Sequence, residues 1–260
     1  MIHFNNELFI ITGGSSGIGL ESANLLVKLG ARVVIVARGE YRLKEIVQDS
    51  NNIETNSNSN SNIKGKMFYR TYDFSNIYDI KELIDSIVSE HGKINGIVHC
   101  AGMGVLSSLR DMDYDKLKAI FDVHFFAAYE LIRNLCDKRK SKDLSIVLIS
   151  SISESLTYKG LSPYATAKGA LSALARSLVQ EIAPLNARIN SILPGILNTN
   201  MTKDARDFVS FEILNEINTH YPLKHGRTLD IAYLIAFLLS PCSSWISGEN
   251  IHIDGGRNKM

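Results

Sequence analysis

The chain has 260 residues, of which 45% are hydrophobic and 21% charged, so it has the composition of a soluble globular protein with one large domain or two small ones. Lysine and arginine number 28 and aspartate and glutamate 27, and a net charge of +1 gives the chain no overall attraction to nucleic acids or anionic membranes. Its three cysteines, Cys100, Cys136 and Cys242, are widely spaced, which argues against a disulfide framework or a zinc site and favours a reducing compartment.

The sequence carries no signal for export or membrane insertion. Its first residues lack the basic start and apolar segment of a signal peptide. The longest apolar stretch, Ile231–Leu239, has nine residues, whereas a membrane-spanning helix needs about 20. We therefore expect a cytoplasmic protein with no membrane or nucleic-acid partner, in which Ile231–Leu239 belongs to a buried helix.

Short apolar runs rich in Val and Ile alternate with longer stretches of helical period. This alternation is typical of a parallel sheet covered by helices on both faces. Gly30 and Gly92 lie where the first and third helices should end. The sequence therefore predicts an α/β fold, a single-domain Rossmann fold over residues 1–260 with a doubly wound seven-stranded parallel sheet. The predicted strands are Leu8–Thr12, Arg32–Ala37, Lys66–Asp73, Gly96–Cys100, Ser145–Ser150, Arg188–Leu193 and Asn250–Asp254.

Two segments interrupt this rhythm. Residues 50–63 are dominated by Asn and Ser, and such a polar tract cannot bury a face, so we expect a disordered surface loop there. Residues 196–222 are too long for a simple connection, and insertions of this kind are often active-site lids. Phe208 and Phe211 would give such a lid an apolar wall, although both could simply hold it against the core.

A glycine-rich loop, Thr12-Gly-Gly-Ser-Ser-Gly-Ile-Gly19, follows the first predicted strand and precedes a predicted helix. Glycine permits a tight turn and a close approach of the backbone to a pyrophosphate, and the helix start offers free N–H groups and a positive dipole end. Glycine clusters are also common in purely structural turns. The place of this one, between a strand and a helix, favours a dinucleotide cofactor.

The end of the second strand distinguishes NAD(H) from NADP(H), because it faces the adenosine ribose. There Ala37 is followed by Arg38, whose guanidinium can pair with a 2′-phosphate. Arg38 could equally be a solvated residue after a strand, and Glu40 lies nearby, but the position favours NADP(H). Asp73 could accept from the adenine amino group or cap a helix that begins near Asn76.

Tyr164 and Lys168 are four residues apart, hence on one face of a predicted helix. Tyr114 and Lys118 share this spacing, so the spacing alone identifies no site. Ser151 lies thirteen residues before Tyr164 and directly after a predicted strand, at the carboxyl edge of the sheet where ligands of open α/β sheets bind. That context favours the pair at Tyr164.

The chemistry of carbonyl reduction suits these three side chains. Addition of hydride to a carbonyl creates an alkoxide that must receive a proton. A free tyrosine has a pKa of about 10, and the ammonium of Lys168 would favour its ionisation. The hydroxyl of Ser151 can donate to the same substrate oxygen and fix the orientation of the carbonyl.

Together these motifs resemble the short-chain dehydrogenase/reductase family over nearly the whole chain, most of all its 3-oxoacyl-(acyl-carrier-protein) reductase group. Beside the glycine loop and the Ser-Tyr-Lys set, His99-Cys-Ala-Gly102 resembles the Asn-Asn-Ala-Gly segment of the family. Pro194-Gly195 with Thr199 resembles its nicotinamide-contacting segment, and Ile246–Gly256 resembles its carboxyl end.

The resemblance implies an NAD(P)-dependent oxidoreductase that interconverts a carbonyl and a secondary alcohol, with Tyr164 as the acid/base and no metal. The catalytic set would be Ser151, Tyr164, Lys168 and His124, with Ser151 and Tyr164 also contacting the substrate. The cofactor would contact Gly13, Ser15, Ser16, Gly17, Ile18, Gly19, Arg38, Asp73, Phe74, Cys100, Ala101, Gly102, Tyr164, Lys168, Pro194, Gly195 and Thr199.

His124 departs from the family pattern, which has an asparagine at this position that holds a water linking the lysine to solvent. Imidazole can also donate and accept a proton, so His124 could preserve the relay. A disabled relay would instead leave a module that binds NADP(H) without turnover. The retained Ser151, Tyr164 and Lys168 favour the enzyme.

The expected substrate is a small carbonyl or alcohol, such as a 3-oxoacyl thioester. The alternative is a dehydrogenase that acts on a sugar, polyol or steroid and uses NAD(H). Lys138–Lys142 is a basic segment that could contact an acidic carrier protein, although cations at a helix end are favourable in their own right. The resemblance also implies a homotetramer or homodimer, built from the helices Tyr114–Cys136 and Tyr164–Ile182 and the carboxyl-terminal segment.

Overall fold

The structure is a computed structural model of the chain, and it describes residues 2–56, 65–156, 159–197 and 219–257. Its strands are β1 (Leu8–Thr12), β2 (Arg32–Ala37), β3 (Lys66–Thr71), β4 (Ile94–His99), β5 (Ser141–Ile149), β6 (Arg188–Pro194) and β7 (Asn250–Ile253). Within the described residues they form one seven-stranded sheet in the order β3-β2-β1-β4-β5-β6-β7. Every neighbouring pair is parallel, which confirms the predicted fold class.

Helices connect the strands and cover both faces of the sheet. The α-helices are α1 (Gly17–Lys28), α2 (Glu40–Asn56), α3 (Ile80–His91), α4 (Tyr114–Phe121), α5 (Ala127–Leu135), α6 (Ser162–Ser177), α7 (Val179–Ile182) and α8 (Thr228–Leu239). A π-helical turn, Asp122–Phe126, joins α4 to α5, and 3₁₀ turns lie at Ile152–Glu154, Ala183–Leu185 and Pro241–Ser243.

The central strand β1 shows why its sequence is apolar throughout. Leu8 and Ile10 pack into the core on one face of the sheet, and Phe9 and Ile11 pack into the core on the other. All four side chains are at most 1% exposed. A strand covered on both faces has no polar side, and hence reads as a continuous apolar run.

The apolar stretch near the carboxyl end is the buried helix that its length predicts. α8 begins at Thr228, and Ile231 and Ile235 on its inner face are fully buried. Within the described ranges, no helix combines the length and the apolar character that a bilayer crossing requires.

Several predicted boundaries are wrong by a few residues. β5 begins four residues earlier than predicted, and β3 ends at Thr71, so Asp73 follows the strand. The helix placed near Asn76 begins at Ile80, because a turn intervenes in which Asp73 accepts from the Ser75 N–H. The long helix predicted from Tyr114 is interrupted by the π-helical turn.

The polar tract at 50–63 is not a loop throughout. α2 continues to Asn56, and the side-chain amide of Asn51 donates to the carbonyl of Met67 and accepts from its N–H, both at 3.1 Å. These bonds attach the helix to the outer edge of β3, which the polar composition alone does not predict. Residues 57–64 lie outside the described residues, as do 198–218 of the predicted lid.

Candidate active site

The carboxyl ends of β1, β4 and β5 meet at one edge of the sheet, where the strand order reverses between β1 and β4. In open α/β sheets this crevice is the usual ligand site. The glycine loop follows β1, and Ser151 follows β5. His99 is the last residue of β4, and Cys100–Gly102 come directly after it. The topology thus gathers three of the predicted motifs at this edge.

The glycine loop needs glycine for conformation and for space. Gly13 and Gly17 have φ of +65° and +56°, in the left-handed region, and a Cβ on Gly19 would lie 2.5 Å from the Gly13 carbonyl oxygen. The side chain of Ser16 makes no capping bond, and the first turn of α1 contains no acidic residue. A diphosphate therefore fits against this helix start. Of the other predicted cofactor contacts here, Ser15 lies in the turn before α1 and Ile18 in the first turn of the helix.

The residues after β4 pack against the glycine loop, because a Cβ on Gly13 would lie 3.0 Å from the carbonyl of Cys100 and from the nitrogen of Ala101. Thr12 joins the two strands. Its hydroxyl accepts from the N–H groups of Cys100 and Ala101 at 3.1 and 3.0 Å, and it lies 3.0 Å from Nδ1 of His99. The segment from Cys100 is thus held against the loop.

His99 lies directly opposite Thr12 in the pairing of β1 with β4. Its Nε2 is 3.2 Å from the carbonyl of Val123 and 3.1 Å from that of His124. Since Nε2 faces two acceptors, we assign the proton to it, and Nδ1 accepts from Thr12. Burial, aided by the charge of Lys168, lowers the pKa of His99 to about 4, so the ring is neutral. His99 therefore connects the sheet to the π-helical turn.

Ser151, Tyr164 and Lys168 lie close together, next to His99. The Oγ of Ser151 donates to the hydroxyl of Ser153 at 3.0 Å and accepts from its N–H at 3.1 Å, and Ser151 lies close enough to Tyr164 to lower the pKa of that phenol. Lys168 is 5% exposed, and its ammonium donates to the carbonyl of Ile149 at 2.7 Å. The same ammonium lies 5.6 Å from the centre of the Tyr164 ring. The structure thus brings the three predicted residues together.

Burial dominates the electrostatics of this trio. It raises the pKa of Tyr164, and the hydrogen bond from Ser151 offsets part of the rise. It lowers the pKa of Lys168 to about 8. The expected lowering of the Tyr164 pKa by the ammonium is thus outweighed, because a buried phenolate loses its hydration. At neutral pH, Tyr164 keeps its proton beside a charged Lys168.

His124 lies in the π-helical turn, an irregularity that often marks functional sites. Its ring packs on Gly102, where a Cβ would lie 2.3 Å from Cε1, and contacts the Tyr164 ring edge-on at 5.7 Å. Nε2 lies 3.0 Å from the carbonyl and 3.1 Å from the N–H of Met103, although a neutral nitrogen can serve only one of them. Nδ1 is buried without a hydrogen-bond partner in the described ranges. Burial lowers the pKa of His124 to about 2.

The side chains predicted for the adenosine end follow β2 and β3. Arg38 is exposed directly after β2. Hydrogen bonds from Ser75 lower the pKa of Asp73, and the charge of Arg38 adds a smaller contribution. Phe74 is 4% exposed, and the centre of its ring lies 6.2 Å from the centre of the His99 ring, so its side chain belongs to the core. Only its backbone is left to face a cofactor.

The segment after β6 is positioned by β7. Pro194 ends β6, and the N–H of Gly195 donates to the carbonyl of Ile253 at 3.1 Å. A Cβ on Gly195 would lie 2.9 Å from both Cα of Asp254 and Cε1 of Tyr221, so glycine is required there. Thr199, the third predicted residue of this segment, lies outside the described residues.

Two groups that hold the site residues in place are not predicted by any sequence motif. The hydroxyl of Thr12 and the carbonyl of Ile149 hold other site residues in place, and neither belongs to a recognisable motif. One feature of the sequence could have indicated the role of Thr12, because it is the polar residue that ends an otherwise apolar strand. Its partner His99 follows only from the adjacency of β1 and β4.

The comparisons with known proteins agree with this geometry. Residues 13–258 match the model of a family described as enoyl-(acyl carrier protein) reductase. The chain belongs to the short-chain dehydrogenase/reductase family. Members of this family are oxidoreductases that use NAD(P). The predicted family resemblance and enzyme class are therefore confirmed.

Named relatives and solved structures match nearly the whole chain. The chain is 29% identical over 252 residues to 3-oxoacyl-(acyl-carrier-protein) reductase FabG of Chlamydia pneumoniae, covering 95% of both chains. It is 30% identical over 255 residues to a chloroplastic tropinone reductase homolog of Arabidopsis thaliana, covering 97% of this chain and 76% of that one. A short-chain type dehydrogenase/reductase from Mycobacterium ulcerans superposes with a TM-score of 0.86 at 28% identity, covering 98% of this chain and 90% of that one.

Proposed function

We propose that the protein is an NADP(H)-dependent oxidoreductase that interconverts a carbonyl and a secondary alcohol, with Tyr164 as the acid/base. The observation that carries the proposal is the convergence of Ser151, Tyr164 and Lys168 at the carboxyl edge of the sheet, with the Lys168 ammonium held 5.6 Å from the centre of the Tyr164 ring. Together they form a site that can donate to one substrate oxygen and supply it with a proton.

When bound, a nicotinamide cofactor would supply the hydride that reduces the carbonyl carbon. Tyr164 gives its proton to the oxygen that develops negative charge, and its raised pKa keeps that proton available at neutral pH. Ser151 donates to the same oxygen and fixes its position. Lys168 remains charged and stabilises the phenolate that Tyr164 leaves behind. Oxidation of the alcohol reverses these roles.

His124 is the group proposed to return a proton to this pair. Its edge-on contact with Tyr164 and its buried Nδ1 support the proposal. The very low pKa argues that the ring works as a neutral acceptor and donor through its two nitrogens, because imidazolium is disfavoured there. One nitrogen can take a proton only as the other gives one up.

Turnover tests the proposal. NADPH oxidation by the full chain is followed with a panel of ketones and 3-oxoacyl thioesters, beside Tyr164→Phe and the surface control Tyr233→Phe. We expect turnover by the wild type and the control, and a loss of at least about a thousandfold in Tyr164→Phe. Tight NADPH binding with no turnover of any substrate would favour a cofactor-sensing module.

The preference for NADP(H) rests on Arg38. It is exposed after β2, while Glu40, the nearest acidic residue in sequence, forms an ion pair with Lys44 at 2.7 Å. Arg38→Ala should raise KM for NADPH about tenfold or more and leave KM for NADH nearly unchanged, whereas Arg133→Ala, which removes an exposed arginine on α5, should change neither. A wild type that prefers NADH would establish the alternative.

The proposed substrate is a 3-oxoacyl thioester. Ile152, the residue after Ser151, packs with Leu193 and Tyr221 in a buried apolar cluster, and Leu156 and Ile196 pack against it. Apolar surroundings of this kind suit an acyl chain better than a sugar or polyol. A steroid would share this preference. Comparison of kcat/KM for a 3-oxoacyl thioester, a sugar and a steroid ketone distinguishes these classes.

Enoyl reduction is the second candidate, because the matching family is described by that activity. Ser151 and Tyr164 could hold the thioester carbonyl while the reaction takes place at the adjacent double bond. An enoyl thioester belongs in the same panel. Turnover of the enoyl substrate without turnover of the 3-oxoacyl substrate would replace the first proposal.

The position of the basic segment Lys138–Lys142 does not support carrier-protein docking. It lies at the amino end of β5, about 30 Å of extended chain from Ser151 at the other end. Arg139 and Lys140 also form ion pairs with Asp137 and Asp85. Charge reversal of Lys138 and Arg139 should therefore affect KM for carrier-bound and small thioesters equally. A selective rise for the carrier-bound substrate would restore the docking idea.

We also propose that each chain forms one domain, that the protein is a homotetramer or homodimer, and that it is cytoplasmic. Exposed aromatic side chains support assembly, since Phe126 and Tyr129 near the start of α5 are more than 40% exposed and Trp245 is 98% exposed. Light scattering of the purified chain gives the oligomeric state. The three free cysteines support a reducing compartment.

A further inference from the structure

A half-buried carboxylate lies beneath the active site, and neither the glycine loop nor the Ser-Tyr-Lys set includes it. Glu154 ends the 3₁₀ turn that begins after Ser151. Its Oε2 accepts from the hydroxyl of Ser150 at 2.8 Å and also from the hydroxyl of Ser172. Ser172 lies on α6, one turn beyond Lys168.

Residues 149–151 hold Lys168 at both ends. The carbonyl of Ile149 accepts from its ammonium at 2.7 Å, and the hydroxyl of Ser150 lies 2.8 Å from its main-chain carbonyl. The next residue is Ser151. The end of β5 therefore fixes the distance between the hydroxyl that orients the substrate and the helix that carries Tyr164 and Lys168.

Ser150 and Ser172 have two hydroxyl protons between them, and four acceptors face them: Glu154 Oε2, the Lys168 carbonyl, Ser150 Oγ and, at 3.4 Å from Ser172, Ser191 Oγ. With the carboxylate present, Ser172 donates to Glu154, and the 3₁₀ turn is thereby bonded to α6. Without it, Ser172 can donate to Ser150 at 3.1 Å, and Ser150 to Lys168. Removal of the carboxylate therefore leaves neither hydroxyl without an acceptor.

We infer that Glu154 is a positioning residue, which joins the turn that carries Ser151 to the helix that carries Tyr164 and Lys168. Its side chain packs over α6, where a Cβ on Gly169 would lie 3.7 Å from Cβ of Glu154. Glu154 touches no reacting atom. Its effect is on the alignment of Ser151 with Tyr164, so it acts on kcat and leaves cofactor binding and the fold in place.

The test compares Glu154→Ala, Glu154→Gln and the control Glu181→Ala, which removes an exposed carboxylate from α7. We expect kcat to fall about tenfold in Glu154→Ala and less than threefold in Glu154→Gln, since the amide oxygen still accepts a hydrogen bond. KM for NADPH and the melting temperature should match those of the control. Wild-type kcat in Glu154→Ala, or a Gln variant as slow as the Ala variant, would overturn the inference.

Ser172→Ala provides a second, independent test, because it removes the partner of Glu154 on α6. If the two act through one bond, the double variant should be no slower than Glu154→Ala alone, and independent, multiplied losses would contradict this. If Glu154→Ala does not fold, Ser172→Ala and Glu154→Gln still decide the matter. The inference rests on the proposed carbonyl chemistry. An inactive wild type refutes that chemistry, whereas an active wild type with an equally active Glu154→Ala refutes only the role of Glu154.

Discussion

Replacement of Thr12 by valine tests the hydrogen bonds that join the end of β1 to the end of β4. Valine has nearly the same shape, so Thr12→Val removes only the hydroxyl. The N–H groups of Cys100 and Ala101 and Nδ1 of His99 would then each lose a partner in the buried core. An unsatisfied buried group costs about 1 to 3 kcal/mol. We expect the free energy of unfolding to fall by about 4 kcal/mol, a large part of the roughly 5 to 15 kcal/mol typical of a folded protein.

The assay is urea unfolding at fixed protein concentration, with Thr12→Ser as the matched control. Serine keeps the hydroxyl and loses one buried methyl, for an expected cost of about 1 kcal/mol. Thr12→Val should also weaken NADPH binding, since Cys100 and Ala101 pack against the glycine loop. Equal losses of stability in the valine and serine variants would refute the assignment of the hydroxyl as a brace.

Three further predictions concern the buried titratable groups. The pKa of His99 is about 4 against the usual 6.5, so below pH 6.5 the unfolded chain binds a proton that the folded protein refuses. The contribution of His99 to stability should fall by about 3 kcal/mol between pH 6.5 and 4, beside a similar loss from His124, and urea unfolding of His99→Asn should show a flatter decline. The pKa of Lys168 is about 8, so reductive kcat should fall as the pH rises through 8, and a flat profile to pH 10 would contradict its role as the stabilising charge. His124→Asn should retain or improve turnover, because an amide can serve both the N–H and the carbonyl of Met103, and a loss beyond about a hundredfold would show that the imidazole has a role of its own.

The sequence is sufficient to predict those parts of the structure that depend on local patterns of residues. The alternation of apolar runs and helical stretches predicts the doubly wound parallel sheet, because parallel strands buried on both faces leave no polar positions. Ser151, Tyr164 and Lys168 are found because a strand end and a helical spacing place them on facing elements. These features depend on residues close together in sequence.

The features that escaped prediction depend on contacts between distant residues. The π-helical turn at His124 and the acceptor role of Ile149 become visible only when strand neighbours and helix positions are known. Asn51 shows the same limit. In sequence it belongs to a polar tract that predicts a loop, whereas its bonds to Met67 keep it in a helix packed beside β3.

The pairing of Asn51 with Met67 also determines how this sheet can meet another molecule. β3 is the outer strand on its side, and exposed outer strands are templates for strand addition and fibre formation. The amide of Asn51 takes the two outward-facing backbone groups of Met67 that an incoming strand would need. Copies of this chain therefore have no free backbone at Met67 through which to add a strand.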